Sequence, residues 1–165
     1  FSSSGERVRP GGSRRSKEIS LVTEKALLPV LDLREYPNSV VDVFIELPQT
    51  EAGSRCAGIC AASMALADAG LAMKDLVCAV SVGRVDDKLL VDLDYLEESY
   101  DGIVADIPVA VMPNHNKITL LQMDGLISKD DLKKVLEMGK KACRDIYEIQ
   151  KKALKDKYRK EAQNE

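Results

Sequence analysis

The sequence predicts an α+β fold in which mixed β-sheets pack against helices in two lobes. Three patterns support this class: two helical segments near the start, two β-hairpins in the middle and one long helical segment at the end. The chain has 165 residues, of which 45% are hydrophobic, and this suits one globular domain or two small lobes sharing a core. We expect residues 1–70 to belong to the first lobe and residues 71–165 to form the second.

The first lobe is predicted to hold two helices with a strand between them. A Ser-, Gly- and Arg-rich stretch over residues 1–13 is expected to be a mobile arm. Ser16 to Leu31 carries apolar residues at helical spacing, with charges on the other face. In Ser39 to Leu47 aliphatic residues alternate with Asp42, Phe44 and Glu46, and this alternation predicts a strand. Cys56 to Gly70 is alanine-rich and proline-free, so we expect a helix buried all round against a sheet, ending at its glycine.

The second lobe is predicted to hold two hairpins and a long helix. Each hairpin joins two β-rich segments through a short polar turn: residues 77–85 with 88–93, and 104–112 with 117–123. A helix should start at Ser128, capped with the help of Asp131, and its apolar stripe runs as far as Ile149. Residues 151–165 are mostly charged and are expected to leave the surface or fray.

Charge and cysteine usage narrow the functional classes. The net charge is −3, yet the first 20 residues are basic, which favours an anionic partner at that end. The four cysteines show no C-x-x-C spacing, and the chain has only one histidine that could join them as a metal ligand. They therefore predict buried thiols rather than a zinc site or disulfides. No apolar run is long enough for a membrane span and no signal pattern is present, so we expect a cytoplasmic protein with no membrane partner.

A candidate anion site lies at the start of the second helix. Gly53, Ser54 and Arg55 place a flexible residue, a hydroxyl and a guanidinium where backbone N–H groups are unpaired, as a phosphate or carboxylate requires. The alternative is that Ser54 only caps the helix and Arg55 is solvated. Arg14 and Arg15 stand at the start of the first helix, where the helix dipole disfavours cations. They are explained either by solubility or by an anion such as RNA phosphate.

Asp106 is the carboxylate that stands out from an acidic region. It interrupts an apolar strand and is followed closely by Pro108, so its charge should be partly desolvated. It is either a functional group or an edge residue, and the residues alone favour neither.

Several motifs, taken in order along the chain, resemble the phosphorolytic, catalytic subunits of archaeal exosomes, which belong to the RNase PH family. The motifs are Arg14-Arg15-Ser16-Lys17-Glu18-Ile19, Ala52-Gly53-Ser54-Arg55, Ala61-Ala62-Ser63, Ala105-Asp106-Ile107-Pro108 and Leu120-Leu121-Gln122-Met123-Asp124-Gly125. The similarity runs over essentially the whole chain. It implies an RNase PH-like fold whose first lobe lacks its N-terminal strands here.

The resemblance implies a 3′→5′ exoribonuclease that uses inorganic phosphate to release nucleoside diphosphates, with a reverse RNA-tailing activity. It implies that Gly53, Ser54 and Arg55 hold the phosphate and that Asp106 is the general acid. Arg14 and Arg15 would grip the RNA near its 3′ end. The family pairs this acid with an earlier aspartate, and Asp101 is the candidate although its spacing differs by one residue. Mg²⁺ would assist, but no residue set predicts a tight metal site.

The implied partners are the RNA 3′ end, a paralogous non-catalytic subunit that alternates with this one in a hexameric ring, and RNA-binding cap subunits. Two other functions stay open. One is a non-catalytic, structural or RNA-binding subunit of the same ring, which would not need Asp106 or the Gly53 to Arg55 segment. The other is a small-molecule phosphotransferase, which the basic arm and the lack of a fuller glycine-rich loop disfavour.

Overall fold

A computed structural model of the chain describes the backbone of residues 2–3 and 13–161 and the side chains of residues 13–159. Within those ranges the helices are Arg14–Leu27 (α1), Ser54–Asp68 (α2), Tyr95–Glu98 (α3) and Lys129–Glu161 (α4). The strands are Ser2–Ser3 (β1), Glu46–Leu47 (β2), Cys78–Val85 (β3), Lys88–Val91 (β4), Val104–Met112 (β5), Lys117–Leu121 (β6) and Asp124–Gly125 (β7). Two short 3₁₀ segments, Leu28–Val30 and Leu33–Glu35, follow α1.

The central sheet has the order β4-β3-β5-β6, with β7 paired to the start of β5, and every pair in it is antiparallel. The two predicted hairpins are therefore confirmed as β3–β4 and β5–β6. Asp86, in the first turn, adopts a positive φ of 51°, which a short Asp side chain tolerates.

The sheet separates two apolar cores. On one face α1 and α2 pack against Ala79, Ala110 and Met112. On the other face α4 packs against alternate residues of the same strands, among them Ile107 and Val109. Because side chains alternate along a strand, Asp106 shares the face of Ala110 and α2, and this alternation directs it towards the candidate anion site.

Helix α2 has one exposed side, so the expectation that it is buried all round is wrong. Cys56, Ile59 and Leu66 are buried against the sheet and α1. Ala57, Ala61 and Ala65, which are four residues apart, face solvent. An alanine needs neither burial nor a polar partner in a helix, so small side chains alone did not predict full burial.

The predicted strand over residues 39–47 is wrong for most of its length. Only Glu46–Leu47 is paired, in parallel with Ser2–Ser3. Beside residues 39–45 the described part of the chain offers no strand, and Val40 and Phe44 are 85% and 87% exposed. A strand needs hydrogen bonds from a neighbour as well as an alternating pattern. The inner side of the segment lines an apolar groove of about 490 Å³ with Leu27, Leu66 and Leu71.

Helix α4 starts as predicted, but its second half differs from the prediction. The Asp131 amide donates to Ser128 Oγ at 3.1 Å, which caps the helix. Ile149, expected in the apolar stripe, is 70% exposed, and Gln150 is buried instead. The charged end stays helical to Glu161. It is held against the end of α2, because Lys157 Nζ lies 2.6 Å from Asp68 Oδ1 and the Tyr158 hydroxyl donates to the Asp68 carbonyl at 3.1 Å.

The predicted arm over residues 1–13 falls mostly outside the described residues. Within it, Ser2–Ser3 forms β1 and Ser13 caps α1, so the expectation of a mobile loop is wrong for these three residues. None of the helices in the described ranges is long and apolar enough to span a membrane.

Candidate active site

The N-terminus of α2 is open to a ligand. Gly53 is its N-cap and adopts a left-handed conformation with φ 61° and ψ 16°, which favours glycine, and no side chain caps the helix. Ser54 is therefore the first helical residue and not a cap, against one of the readings left open above. The first amides of the helix have no partner within it and, together with the helix dipole, attract an anion. The three residues predicted to bind phosphate lie together here.

Asp106 is anchored in the central sheet close to this helix start. The Ser81 hydroxyl, on the neighbouring strand β3, donates a hydrogen bond to Asp106 Oδ1. On the other side Asp106 pairs with Asp124 of β7. Strand β7 can lie this close because Gly125 has a φ of 100°, and a Cβ there would come within 2.1 Å of the Val104 carbonyl oxygen. A half-buried carboxylate with one oxygen engaged keeps its other oxygen for chemistry.

Glu98 is a second carboxylate in the same place, and the sequence did not single it out. It ends α3, a single turn fixed by reciprocal capping between Asp94 and Glu97. Burial raises the pKa of Glu98, the nearby charge of Asp106 raises it further, and Arg15, Arg55 and the Gly53 amide oppose these effects. These interactions join Glu98 to Asp106, to the start of α2 and to α1.

Asp101 is the other carboxylate that was expected at this site. It is exposed, in the loop between α3 and β5, and has no recorded interaction with Asp106 or with the start of α2. The structure therefore brings Glu98 to Asp106, and leaves Asp101 at the surface. Two residues, Ser99 and Tyr100, separate Asp101 from Glu98 after the end of α3.

Arg14 and Arg15 occupy the first turn of α1, as predicted. Ser13 caps this helix by accepting a hydrogen bond from the Ser16 amide at 3.0 Å. Both arginines are exposed. Arg15 is close enough to Glu98 to lower its pKa, so it belongs to the rim of the site. An exposed guanidinium here is available to a polyanion.

Arg55 is held by two side chains from other elements. Its Nη1 lies 3.3 Å from Glu18 Oε1 of α1 and also donates a hydrogen bond to Gln122 Oε1, beyond the end of β6. Gln122 Nε2 in turn donates to the same Glu18 oxygen at 3.2 Å. The alternative that Arg55 is merely solvated is wrong, since its side chain is only 20% exposed.

None of the four cysteines is a candidate nucleophile for this site. All are free, as predicted; Cys56, Cys78 and Cys143 are buried and Cys60 is partly buried. Burial raises the pKa of each thiol, which keeps it protonated and a poor nucleophile. Over the ranges that the structure describes, no group of three or more His, Cys, Asp or Glu side chains could hold a metal ion.

Sequence reasoning missed three residues of this site: Glu18, Gln122 and Glu98. The first two lie inside motifs quoted above, but nothing in their spacing connects them to Arg55. Glu98 is one of several acids between residues 92 and 101. Nothing in the sequence separated it from these neighbours.

The architecture is that of an RNase PH-like fold. The structure resembles the crystal structure of rice (Oryza sativa) Rrp46 with a TM-score of 0.81. The match covers 89% of this chain and 69% of that one at 19% identity, so it bears on the fold alone. The predicted α+β class is confirmed.

Two family descriptions match most of the sequence: "3' exoribonuclease family, domain 1" over residues 1–72 and "domain 2" of the same family over residues 75–142. The chain therefore belongs to the RNase PH family of 3′ exoribonucleases, and the predicted resemblance is confirmed.

Archaeal proteins named "Exosome complex component Rrp41" are among the relatives. The Thermococcus kodakarensis protein is 50% identical over 158 residues, and the match covers 96% of this chain and 63% of that protein. The Methanopyrus kandleri protein is 48% identical over 153 residues, 93% of this chain and 63% of its own length. The Nitrosopumilus maritimus protein is 49% identical over 154 residues, 93% and 62% respectively. The chain thus spans somewhat less than two thirds of the relatives it matches.

Proposed function

We propose that the chain is the catalytic subunit of an archaeal exosome and degrades RNA from its 3′ end with inorganic phosphate. One observation supports this most: the open start of α2, with Arg55, faces two carboxylates, Asp106 and Glu98, with Arg15 at the rim. A helix N-terminus with a guanidinium suits phosphate, and a carboxylic acid suits a leaving alkoxide. The relatives named as exosome components support the same reading.

In this proposal each residue has one role. Gly53, Ser54 and Arg55 hold the attacking phosphate at the helix start, with the Arg55 guanidinium as its cation, while Arg14 and Arg15 bind the RNA backbone. A phosphate oxygen attacks the phosphorus of the last phosphodiester, and the bond to the 3′-oxygen of the preceding nucleotide breaks. Asp106 donates its proton to that oxygen, so a nucleoside diphosphate leaves and the shortened RNA ends in a hydroxyl. The same step run backwards adds nucleotides, which is the proposed tailing reaction.

Ser81 orients Asp106 for this step. Its hydroxyl donates to Oδ1, so the transferable proton belongs on Oδ2. We propose Glu98, in place of the Asp101 that the family resemblance implied, as the second carboxylate beside the general acid.

A Mg²⁺ ion would fit beside Glu98. Mg²⁺ is commonly held by one or two carboxylates and substrate phosphate oxygens, with water filling the other positions. Glu98 would supply the protein oxygen, since Asp106 keeps its proton for the leaving oxygen. The ion would neutralise charge on the phosphates.

The assembly and location are proposals of the same kind. We infer a cytoplasmic, hexameric ring in which this chain alternates with a paralogous non-catalytic subunit, beneath RNA-binding cap subunits. Residues 1–70 would contribute to the first lobe and residues 71–165 would form the second. The exposed segment 39–44, beside its apolar groove, supports a first lobe that takes up a further strand there.

The test is degradation of a 5′-labelled oligoribonucleotide by this chain assembled with its ring partner, with and without inorganic phosphate. The proposal expects stepwise 3′ shortening only with phosphate, and nucleoside diphosphates as products. RNA binding without shortening, in a mixture that contains full-length subunits, would favour the alternative of a structural ring subunit.

A further inference from the structure

The cluster of Arg55, Glu18 and Gln122 joins three separate parts of the chain at the candidate phosphate site. Glu18 lies on α1, Arg55 in the first turn of α2 and Gln122 just after β6. The three polar groups close a ring of contacts: Arg55 to Glu18 at 3.3 Å, Gln122 to Glu18 at 3.2 Å and Arg55 to Gln122. Such a ring fixes the direction of a long and otherwise flexible side chain.

Both contacts of the Arg55 guanidinium use the same nitrogen, Nη1. Among the described residues, Nη2 and Nε have no recorded acceptor. These two nitrogens form the edge with which arginine binds an anion in a bidentate manner. Gln122 and Glu18 therefore hold one side of the guanidinium and leave its binding edge free.

The two partners differ in charge, so they affect an incoming phosphate in opposite ways. Gln122 is neutral, and its hydrogen bond orients Arg55 without reducing its charge. Glu18 is an anion 3.3 Å from the same guanidinium, so it competes electrostatically with phosphate. Its side chain is 43% exposed, so water weakens this competition. Phosphate bound to Arg55 would therefore share the positive charge of the guanidinium with Glu18.

We propose that Glu18 and Gln122 are positioning residues that set the phosphate affinity of Arg55 in opposite directions. Gln122 raises the affinity by orienting the guanidinium, and Glu18 lowers it by neutralising part of its charge. This inference rests on the proposed function, because it takes phosphate as the ligand of Arg55.

The test compares KM for phosphate, KM for RNA and kcat of the assembled complex carrying Glu18→Gln, Gln122→Leu or Glu24→Gln. Glu18→Gln keeps an amide oxygen for Arg55 and removes the charge, so KM for phosphate should fall about two- to five-fold, the range for one partly exposed ion pair. Gln122→Leu removes both of its hydrogen bonds, and KM for phosphate should rise by about three- to ten-fold. KM for RNA should stay unchanged in both.

Glu24→Gln is the matched control, since Glu24 is an exposed acid on the same helix and has no ion pair with any residue that the structure describes. It tests whether any lost negative charge has the same effect. The double variant Glu18→Gln with Gln122→Glu keeps the total charge of the cluster. Its KM for phosphate should therefore lie closer to that of the unaltered protein than the KM of Gln122→Glu alone does.

The outcomes separate this inference from the proposed function. If the unaltered complex shortens RNA with phosphate but Glu18→Gln leaves KM for phosphate unchanged or raises it, the inference is wrong and the function stands. An unaltered complex that neither binds nor consumes phosphate would refute the function itself. Phosphate binding measured by calorimetry, without RNA, provides the same comparison independently of turnover.

Discussion

Replacement of Asp106 by asparagine tests the role of the general acid with little disturbance of the fold. Asparagine has nearly the same volume and keeps an oxygen that can accept the hydrogen bond from Ser81. Asp106 is half-buried in strand β5, and its backbone pairing with Gly83 and Asp124 does not depend on the side chain. We therefore expect the free energy of unfolding to change by less than about 1 kcal/mol.

Catalysis should respond far more strongly. General acid catalysis contributes about 10²- to 10⁴-fold to rate, which corresponds to an increase of roughly 3–5 kcal/mol in the activation barrier. An asparagine amide cannot deliver the proton that the leaving 3′-oxygen needs. Phosphate-dependent release of nucleoside diphosphates should thus fall by that factor, while RNA binding, measured by fluorescence anisotropy, stays the same.

Asp101→Asn is the matched control for this change. It removes the same charge by the same substitution five residues away, at an exposed position with no recorded contact to the site. Its rate should lie within about two-fold of the unaltered protein, as surface substitutions away from special features have small effects. If Asp106→Asn kept full activity, or if Asp101→Asn lost as much, the assignment from geometry would be refuted.

Three further predictions concern stability, pH and RNA binding. Ile107→Ala, in the core between the sheet and α4, should lower the free energy of unfolding measured in urea by about 2–5 kcal/mol. Ile149→Ala should change it by under about 0.5 kcal/mol, because Ile149 is 70% exposed. Equal losses in the two variants would contradict the core assignment. Burial raises the pKa of Glu98 above that of the same group in the unfolded chain, so the folded chain retains this proton where the unfolded chain has lost it, and stability should fall as pH rises through the folded pKa. Urea unfolding at a series of pH values should therefore give a flatter profile for Glu98→Gln, and parallel profiles would count against the buried position of Glu98. Replacing Arg14 and Arg15 by alanine should weaken RNA binding and reduce its salt dependence by about 0.7 per arginine in log–log slope; an unaltered slope would show that neither contacts RNA phosphate.

Much of the fold could be predicted from local patterns. The hairpins β3–β4 and β5–β6 carry their own turn signals, and the Ser128 cap of α4 lies within four residues. The segment 39–45 shows the limit of this reasoning. Its alternating pattern was a valid strand signal, but a strand forms only beside a partner, and pairing is a property of the surroundings. Lys157 shows the same limit at the other end, because its partner Asp68 is 89 residues distant in sequence.

The candidate site was predicted in part. Gly53, Ser54, Arg55 and Asp106 could be identified because a helix start and a charge in an apolar strand leave local signals. Glu98 could not be separated from its acidic neighbours, since its relation to Asp106 depends on how α3 packs against β5. Asp101 was the candidate that the family resemblance implied although its spacing differs by one residue, and it is exposed in the loop after α3.

The source of the attacking oxygen tests the central claim most directly. Unlabelled RNA and ³²P-orthophosphate would be incubated with the assembled complex, and the released nucleotides separated. If phosphate held at the start of α2 is the nucleophile, the label appears as the β-phosphate of nucleoside diphosphates, and Arg55→Gln sharply reduces it. Unlabelled nucleoside monophosphates would mean that water attacks instead, and the account of this site as a phosphate site would be wrong.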